Sequence, residues 1–573
     1  MERVAGDFGL KSPALPPYLR GMQRTLILAA LVGAMGAVQA QEAPLDLGAR
    51  PALVVGITVD QMRADYLYRY WNDFGEGGFK RLVQGGFVCG DHHFGYAPTY
   101  TGPGHASIYT GTTPAYHGII ANDWYDRAAA GSVYCASDTS VRAVGAASPD
   151  QTAGFMSPHR LQVSTIGDEL KLATGGQAKV FGLSMKDRGA ILPAGHSADG
   201  AFWFHGKDEG VFISSTYYYE ELPDWAQKFN RKSPRDAYMK AGWKRLLDES
   251  AYGMSQPDNN PYESPFRGST RPVFPYDFRE LAEANNGYDV LKASPAGNAI
   301  LVDFALAALE GEALGADEVT DLLAISFSST DYVGHQFGAH AQETQDVYLR
   351  LDRELARLFE ALDAQVGEGQ WMCWLSADHA GATVPSLGQS VGLPVDYWKP
   401  GNMIDAAEAA CAAAYGEGPW ILNYSNDQFF LDHERIAAAG LALDEVARRV
   451  QAVAMADGEV YRAVVNGDLA QIGKTDDPVL SRLQWGIHPK SSGEVIVVPK
   501  AGWINYGRTG TTHGSPYAYD THVPCIFYGW GVKPGATYER TYIRDIAPTV
   551  SALIHSPLPN AASGLVIDDL IEP

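Results

Sequence analysis

The sequence of 573 residues predicts an α/β fold: a large, mostly parallel β-sheet flanked by helices, with inserted cap segments. Two observations carry this prediction. Four apolar runs have the length of strands, and each run ends at a cluster of polar or charged residues. Helical patterns lie between these runs, and alternating strands and helices favour an open sheet that helices cover on both faces.

The four strand-like runs are apolar almost throughout, as expected for strands buried on both faces. They comprise residues 53–59, 179–185, 322–327 and 371–376. Ligands of open α/β sheets bind outside the carboxyl ends of the strands, and there each run ends in polar residues. The sequence therefore predicts a functional site at this edge of the sheet.

Apolar residues at helical spacing predict the helices. Residues 344–362 place five apolar side chains on one face, and Thr344 is the predicted N-cap. The five are Val347, Leu351, Leu355, Leu358 and Leu362. Further helices are predicted over residues 295–310, 443–456 and 545–554.

Residues 41–573 are predicted to form one catalytic domain that carries two insertions. Residues 202–288 are rich in Tyr, Trp, Pro, Asn and Ser and lack a clear alternation of strands and helices, which indicates a cap beside the core. Residues 394–492 are predicted to form a smaller α+β insertion.

The N-terminus is typical of an export signal. A positive region begins at Met22, an apolar run covers residues 25–38, and Val38-Gln39-Ala40 is a small-residue cleavage site. The run is shorter than the ~20 residues of a membrane-spanning helix. We expect a signal peptide over residues 22–40, cleavage after Ala40, and a periplasmic or secreted protein without a membrane span; Met1 and Met22 remain alternative starts.

The charge balance restricts the partners. A formal net charge of −23 argues against a broad contact with a nucleic acid duplex or an anionic membrane. An anionic substrate would therefore need a few local cations or metal ions. The five cysteines lack CxxC spacing, so a cysteine metal site is not expected.

Three carboxylates and three histidines follow the predicted strands or lie in nearby loops. They are Asp60, Asp331, His335, Asp378, His379 and His513. Taken singly, an Asp after a strand is more often a turn or helix cap, and a lone His is more often a hydrogen-bonded structural residue. Together they form a nitrogen and oxygen donor set that suits zinc, and two such sets close together suit a two-metal site.

Lys186 and Arg188 follow the second predicted strand. If strand geometry continues, residues two apart point to the same side, and the two cations could hold a phosphoryl group. A solvated strand end with a surface salt bridge explains the same spacing, so at this point both interpretations stay open.

Seven stretches resemble one family in their residues and in their order along the chain. They are VDQMR (59–63), PTYTGPGH (98–105), GIIANDWYD (118–126), KDRGAILPAGH (186–196), STDYVGH (329–335), SADH (376–379) and GTTH (510–513). This pattern is similar to that of the PafA-type bacterial alkaline phosphatases, members of the alkaline phosphatase superfamily that use a threonine nucleophile. The resemblance runs from about residue 50 to the C-terminus and implies an alkaline-phosphatase-like fold.

The resemblance also implies the roles of the site residues. Two zinc ions are expected, one held by Asp331, His335 and His513 and the other by Asp60, Asp378, His379 and the oxygen of Thr101. Thr101 would be the nucleophile of a covalent phosphothreonine intermediate, and Asn122, Lys186 and Arg188 would contact the phosphate. The backbone N–H after Thr101 would face the phosphoryl oxygens at a helix N-terminus, and His105 is expected to be structural.

The implied activity is that of a broad-specificity alkaline phosphatase acting on small phosphate monoesters. A nucleotide phosphodiesterase or pyrophosphatase on the same two-metal core is the alternative, and the cations Lys186 and Arg188 disfavour it. A sulfatase is disfavoured because residues 101–105 lack the C/S-x-P-x-R pattern. A zinc-binding envelope protein without turnover is a further alternative, disfavoured by the open coordination positions that six ligands leave on two metals.

Overall fold

The computed structural model describes residues 50–232 and 234–571, and a ten-stranded mixed sheet is its largest element. The strands are β1 (Leu53–Val59), β2 (Phe87–His93), β3 (Asp123–Asp126), β4 (Gly131–Tyr134), β5 (Ala143–Val144), β6 (Val180–Ser184), β7 (Gly200–His205), β8 (Val211–Ser215), β9 (Asp321–Phe327), β10 (Trp371–Ser376), β11 (Ile421–Ser425), β12 (Gln428–Leu431), β13 (Val460–Val465), β14 (Val495–Pro499), β15 (Cys525–Gly529) and β16 (Gly535–Tyr542). The order across the large sheet is β16-β2-β15-β10-β1-β9-β6-β7-β8-β5.

The centre of the large sheet confirms the predicted fold class. β10, β1, β9, β6 and β7 are parallel neighbours, and every residue of these five strands is buried. The four predicted apolar runs are four of these strands. Antiparallel pairs occur on both flanks, between β7 and β8 and between β10, β15 and β2, so the sheet is mixed outside its parallel centre.

Twelve helices of eight or more residues lie in the part of the chain that the structure describes. They are α1 (Thr101–Thr110), α2 (Ile166–Ala173), α3 (Asp187–Ala194), α4 (Asp224–Arg231), α5 (Pro234–Ala241), α6 (Pro295–Gly311), α7 (Ser329–Phe337), α8 (Gln342–Leu362), α9 (Gly401–Tyr415), α10 (Leu443–Ala456), α11 (Pro478–Gly486) and α12 (Ile546–Leu553). The four predicted helices correspond to α8, α6, α10 and α12.

The predicted N-cap of α8 is wrong. The helix begins two residues earlier, at Gln342, with Ala341 at the N-cap position. Thr344 lies inside the first turn, where its hydroxyl donates a hydrogen bond to the carbonyl of Gly338 at 2.7 Å. The apolar stripe itself is buried as predicted, because its leucines pack in the main core.

The two predicted insertions are parts of larger arrangements, and their boundaries stay predictions. Residues 202–288 include most of β7 and all of β8 of the large sheet, followed by α4, α5 and an irregular stretch. Residues 394–492 include three strands of a separate antiparallel sheet, β11-β12-β14-β13, and α9 and α10 pack against it around their own apolar core.

The predicted signal peptide, residues 22–40, lies outside the described residues. Across the described residues, no helix combines the length and the apolar character that crossing a membrane requires. All five cysteines are buried and unpaired.

Candidate active site

The six candidate ligands are brought together at the carboxyl edge of the parallel centre. Asp60 directly follows β1, and the β1 register places it beside the ends of β9 and β10. Asp331 lies in the first turn of α7 after β9, while Asp378 and His379 follow β10. Parallel strands end at one edge, so residues distant in sequence converge here.

Asp331, His335 and His513 form the first candidate metal cluster, with one ligand atom from each within 4.8 Å of the others. The Asp331 Oδ1 atom lies 3.1 Å from His335 Nε2 and 3.7 Å from His513 Nε2. Asp331 and His335 share one face of α7, as their spacing of four residues predicts. His513 comes from the loop that follows β14.

Asp60, Asp378 and His379 form the second cluster, and all three side chains are buried. His379 Nε2 lies 3.4 Å from Asp60 Oδ1 and 3.5 Å from Asp378 Oδ2. The rings of His379 and His513 stack with centroids 3.4 Å apart, so the two clusters touch. The Thr101 hydroxyl lies 3.4 Å from His379 Nε2.

The hydrogen bonds of the three histidines prepare one nitrogen of each ring for a metal ion. Their Nδ1 atoms lie 2.7–3.0 Å from the carbonyl oxygens of Thr511 (His335), Thr99 (His513) and Ala380 (His379). A ring that donates its Nδ1–H to a carbonyl presents the Nε2 lone pair to a metal. In both clusters the Nε2 atoms face the carboxylates.

Two carboxylate oxygens also fit a bound cation. Asp60 Oδ1 and Asp378 Oδ2 are buried and have no hydrogen-bond partner among residues 50–232 and 234–571. Such unpartnered buried oxygens are rare without a ligand. The donor set of carboxylates and imidazoles therefore fits zinc-type divalent ions at both clusters.

The negative charges of the three aspartates are compensated to different degrees. Burial and the charge of Asp331 raise the pKa of Asp60, and burial together with Asp60 raises the pKa of Asp378 well above its usual range. Although burial opposes it, His335 and Lys186 hold the pKa of Asp331 well below its usual range. Burial lowers the pKa of His513 to about 3, so this ring is neutral. Divalent cations would offset the excess negative charge.

Thr101 is the first residue of α1, and Tyr100 is the N-cap. Pro103 lies in the first turn, where a helix tolerates proline. Gly104 packs so tightly that a Cβ atom there would lie 2.2 Å from the carbonyl oxygen of Asp378. The helix that begins with Thr101 is therefore seated directly on the second cluster.

The backbone N–H after Thr101 has a different partner from the one expected. The Gly102 N–H donates to Asn122 Oδ1 at 2.8 Å, so the side chain of Asn122 occupies the donor that was predicted to face the phosphoryl oxygens. Because the amide oxygen is used in this way, the Asn122 side-chain NH₂ is the donor group left for a ligand.

Lys186 and Arg188 do not continue β6 as a strand. α3 begins at Asp187 with Lys186 as its N-cap, so the expected strand geometry is wrong. Lys186 Nζ lies 2.6 Å from Asp60 Oδ2 and 2.6 Å from Asp331 Oδ2, and it thereby bridges the two clusters. The alternative of a solvated surface pair at this position is wrong for Lys186, which is 5% exposed.

Arg188 is held by the β3–β4 hairpin. Its Nη1 donates to the Tyr134 hydroxyl at 3.0 Å, and that hydroxyl donates in turn to the Asp187 carboxylate. The Cys135 N–H donates to the Asn122 carbonyl at 2.8 Å, so the same hairpin also fixes Asn122. Arg188 Nε is buried and has no partner in the described chain.

Gln61 and Tyr134 position the site, although neither is among the predicted site residues. Gln61 has a φ of 62°, is 5% exposed, and its Nε2 donates to Asp331 Oδ1 at 2.6 Å. Its backbone N–H lies 3.3 Å from Asp378 Oδ1, so it contacts both clusters. Gln61 lies in the stretch VDQMR directly after Asp60, whereas Tyr134 lies in none of the seven stretches that resemble the family.

His105 has a structural environment, as expected. Its Nδ1 lies 2.8 Å from the Thr101 carbonyl and its Nε2 lies 2.7 Å from the Ser326 hydroxyl. Both ring nitrogens are therefore hydrogen-bonded within the core. The hydroxyls of Thr110 and Ser107 are likewise buried and bonded, to the Ala106 carbonyl and to Tyr96 and His117.

Comparison with known proteins identifies the family of the chain. Residues 54–522 match the family described as type I phosphodiesterase / nucleotide pyrophosphatase. The alkaline phosphatase PafA of Elizabethkingia meningoseptica is 40% identical over 541 residues, 94% of this chain and 97% of that protein. A protein of Myroides odoratus named calcium-transporting ATPase is 42% identical over 528 residues, 91% of this chain and 95% of that protein.

A solved structure gives the same result for the fold. The crystal structure of wild-type alkaline phosphatase PafA superposes with a TM-score of 0.87 at 40% identity, covering 92% of this chain and 100% of that chain. The superposition thus covers nearly the whole of both chains. The chain thus belongs to the type I phosphodiesterase / nucleotide pyrophosphatase family of the alkaline phosphatase superfamily, and it is a homologue of PafA.

Proposed function

We propose that this protein is an alkaline phosphatase that hydrolyses small phosphate monoesters with Thr101 as the nucleophile. One observation carries the proposal. Two Asp/His clusters touch through His379 and His513, the Thr101 hydroxyl lies 3.4 Å from His379 Nε2, and a lysine bridges the clusters. The relative named alkaline phosphatase PafA supports the same activity.

Two zinc ions are the proposed cofactors. Asp331, His335 and His513 would hold one ion, and Asp60, Asp378 and His379 would hold the other, next to the Thr101 oxygen. A bound divalent ion lowers the pKa of an adjacent oxygen and offsets negative charge on a phosphoryl group. The chain contributes the geometry of the donors, because the carbonyl partners of the three imidazoles fix the ring orientations.

In the proposed reaction the Thr101 oxygen attacks phosphorus in line with the leaving oxygen. A bond forms between Thr101 Oγ1 and phosphorus while the bond from phosphorus to the alcohol oxygen breaks, and the proton of the Thr101 hydroxyl leaves with the alcohol. Water then attacks the phosphothreonine, releases inorganic phosphate and restores the hydroxyl. Both nitrogens of His105 are already hydrogen-bonded, so it is not the proposed general base.

Arg188 and Asn122 are proposed to hold the phosphoryl oxygens. The hairpin that carries Asn122 also orients Arg188 through Tyr134, so both donors are positioned before substrate binds. A monoester has one more charged non-bridging oxygen than a diester, and Arg188 and Lys186 provide cations for that charge. This favours a monoesterase over the phosphodiesterase activity in the family's description.

The test compares esters and metals in one preparation. We expect the zinc-loaded protein to hydrolyse an aryl phosphate faster than an aryl phosphodiester, and an aryl sulfate slowest. A chelator should abolish all three rates and added zinc should restore them. ATP belongs in the panel because one relative is named an ATPase. A diester rate above the monoester rate would favour the phosphodiesterase, and no turnover at all would contradict the proposal.

Export remains a separate proposal that rests on the sequence of residues 22–40. Its test is N-terminal sequencing of the protein recovered from the periplasm or medium of an expressing cell. We expect the mature chain to begin at Gln41. A chain recovered only from the cytoplasm and still carrying residues 22–40 would contradict it.

A further inference from the structure

We propose that a cleft beside His513 binds the alcohol part of the substrate and favours phosphate monoesters of amino alcohols, with Asp427 selecting the ammonium group. The cleft has a volume of about 210 Å³. The lining residues that matter here are Tyr100, Tyr424, Asp427, Trp503, His513 and Asp520. The inference rests on the proposed function, because it names the class of alcohol that the same active site would release.

The cleft lies where the alcohol should leave. Thr101 is beside the second cluster, with its hydroxyl 3.4 Å from His379 Nε2. In two-metal sites for in-line displacement, the attacking and the leaving oxygen lie at different ions. The leaving alcohol is therefore expected at the first cluster, and His513 is both a member of that cluster and a wall of the cleft. Tyr100 forms the adjoining wall, because its ring meets that of His513 edge-on with the centroids 5.7 Å apart.

A tight turn of the smaller insertion places Asp427 in the cleft. Asn426 and Asp427 connect β11 to β12, and their φ angles of 51° and 57° are those of a two-residue type I′ hairpin turn. The side-chain NH₂ of Asn426 donates to the Asp123 carbonyl at 2.7 Å, and the Val497 N–H donates to the Asp427 carbonyl at 2.8 Å. The turn is therefore fixed without substrate, and it is tied to the residue that follows the proposed phosphate ligand Asn122.

The charges in the cleft are opposite to those proposed to hold the phosphate. Asp427 and Asp520 line the cleft, and none of the described residues that line it is a lysine or an arginine. Burial, together with the charges of these two carboxylates, raises the pKa of Tyr100, so both carboxylates lie near its hydroxyl. Lys186 and Arg188 supply the cations at the other end of the site. A substrate with an anionic phosphoryl end and a cationic alcohol end matches both halves.

Asp520 has a buried oxygen that no described residue contacts. The residue is 1% exposed, and its Oδ2 accepts hydrogen bonds from the N–H and the hydroxyl of Ser515 at 2.8 and 2.6 Å. Its Oδ1 is buried and has no hydrogen-bond partner in the described chain. Buried polar atoms without a partner are rare in the absence of a ligand or water. An ammonium group in the cleft would supply positive charge next to this carboxylate.

Aromatic rings form much of the remaining wall. Tyr100, Tyr424 and Trp503 line the cleft, and the faces of such rings attract ammonium groups. The ring of Trp503 already has one such neighbour, since Lys500 Nζ, from outside the cleft, lies 5.9 Å from its centre. An uncharged polyol is the simpler ligand for aromatic rings beside polar groups, but it does not account for a lining whose full charges are both negative.

The first experiment measures binding without turnover. Calorimetry at alkaline pH gives the Kd of aminoalkyl, hydroxyalkyl and alkyl phosphonates, with chains of two to four carbons, for the zinc-loaded full chain. We expect the ammonium tail to bind about ten-fold or more tightly than the alkyl tail at the chain length that reaches Asp427. Asp427→Asn and Asp427→Gly should remove most of this difference, and both residue types accept a positive φ. Glu434→Gln is the matched control, because it removes one exposed charge from the same insertion and should keep the native preference.

The second experiment measures kcat/KM for the matching aminoalkyl and alkyl phosphates in the same four proteins. Comparing native protein with each variant cancels the intrinsic reactivity of the two alcohols, so the amino-to-alkyl ratio should fall about ten-fold in both Asp427 variants alone. Equal affinity for all three tails, a hydroxyl tail that binds most tightly, or an ammonium preference that both Asp427 variants keep would overturn the inference. Hydrolysis of an aryl phosphate tests the proposed function separately, so native protein that hydrolyses it without preferring the ammonium tail contradicts only the cleft.

Discussion

Replacing Arg188 by alanine should change the preference between phosphate monoesters and diesters more than it changes the fold. The guanidinium donates to the Tyr134 hydroxyl at 3.0 Å and lies 6.0 Å from the centre of that ring, so its position is fixed without substrate. Its buried Nε has no partner among the described residues. The side chain therefore keeps donors for an anion, and the substitution removes them.

The size of the effect follows from the number of charged hydrogen bonds. Each hydrogen bond to a charged group contributes about 1.5–3 kcal/mol. Two such bonds to a monoester correspond to a loss of roughly 10²–10⁴-fold in kcat/KM. A diester lacks one of the charged oxygens, so it should lose about one bond, or roughly 10–100-fold. The monoester-to-diester ratio should therefore fall by about 10–100-fold.

The assay measures kcat/KM for an aryl phosphate and the matching aryl methyl diester in native protein, Arg188→Ala and Arg188→Lys. The lysine variant keeps the charge but loses the planar fork, so it should recover part of the monoester rate. Arg235→Ala is the matched control, because Arg235 also lies over a tyrosine, Tyr288, at 5.3 Å. An equal loss on both esters in Arg188→Ala would refute the reasoning and assign Arg188 to the fold.

Three further predictions concern metal binding, packing and pH. Lys186→Met should lower the free energy of unfolding of the metal-free protein by about 3–5 kcal/mol, because Asp60 and Asp331 lose their shared ammonium. Zinc should restore the melting temperature of this variant. An unchanged melting temperature of the metal-free variant would contradict the prediction. Gly104→Ala should lower kcat by about 100-fold or more, because the added Cβ would lie 2.2 Å from the Asp378 carbonyl oxygen. Gly467→Ala is the control and should leave kcat unchanged, because a Cβ at Gly467 has no atom within 4 Å. Burial lowers the pKa of His117 to about 3. The neutral His117 therefore contributes fully to stability above about pH 6.5, the pKa of histidine in the unfolded chain. As the pH falls from there toward 3, the free energy of unfolding should decrease by up to ~1.4 kcal/mol per pH unit. Denaturant titrations across this range should show a shallower dependence for His117→Asn than for native protein.

The parallel centre of the fold was predictable because its strands are buried on both faces. The predicted run 53–59 is β1 residue for residue, and β6, β9 and β10 of the same parallel centre differ from their predicted bounds by at most one residue. Continuous burial requires continuous apolar sequence, so these strands need little tertiary information. The three acidic candidate ligands follow from the same rule, since each comes directly or within a helical turn after a strand of this centre, whereas His513 lies in the loop after β14.

The features that were predicted wrongly or not at all depend on contacts between residues that are distant in the sequence. β6 ends at Ser184 and α3 begins at Asp187, although the alternation of Lys186 and Arg188 equally suits a strand. Gln61 is held by hydrogen bonds to Asp331 and Asp378, which lie 270 and 317 residues away in the sequence. Thr344 is a residue type that often caps helices, yet it lies inside the first turn, where its hydroxyl donates to the Gly338 carbonyl. Local propensity cannot encode such partners.

The most direct test of the proposed mechanism is to trap the phosphate on Thr101. Zinc-loaded protein is mixed with an aryl phosphate, quenched in acid within one turnover, digested and analysed by mass spectrometry. We expect phosphate on the peptide that contains Thr101, no label in Thr101→Ala, and a rate at least roughly a thousand-fold lower in that variant. An unlabelled Thr101 peptide together with a native rate in Thr101→Ala would contradict the account.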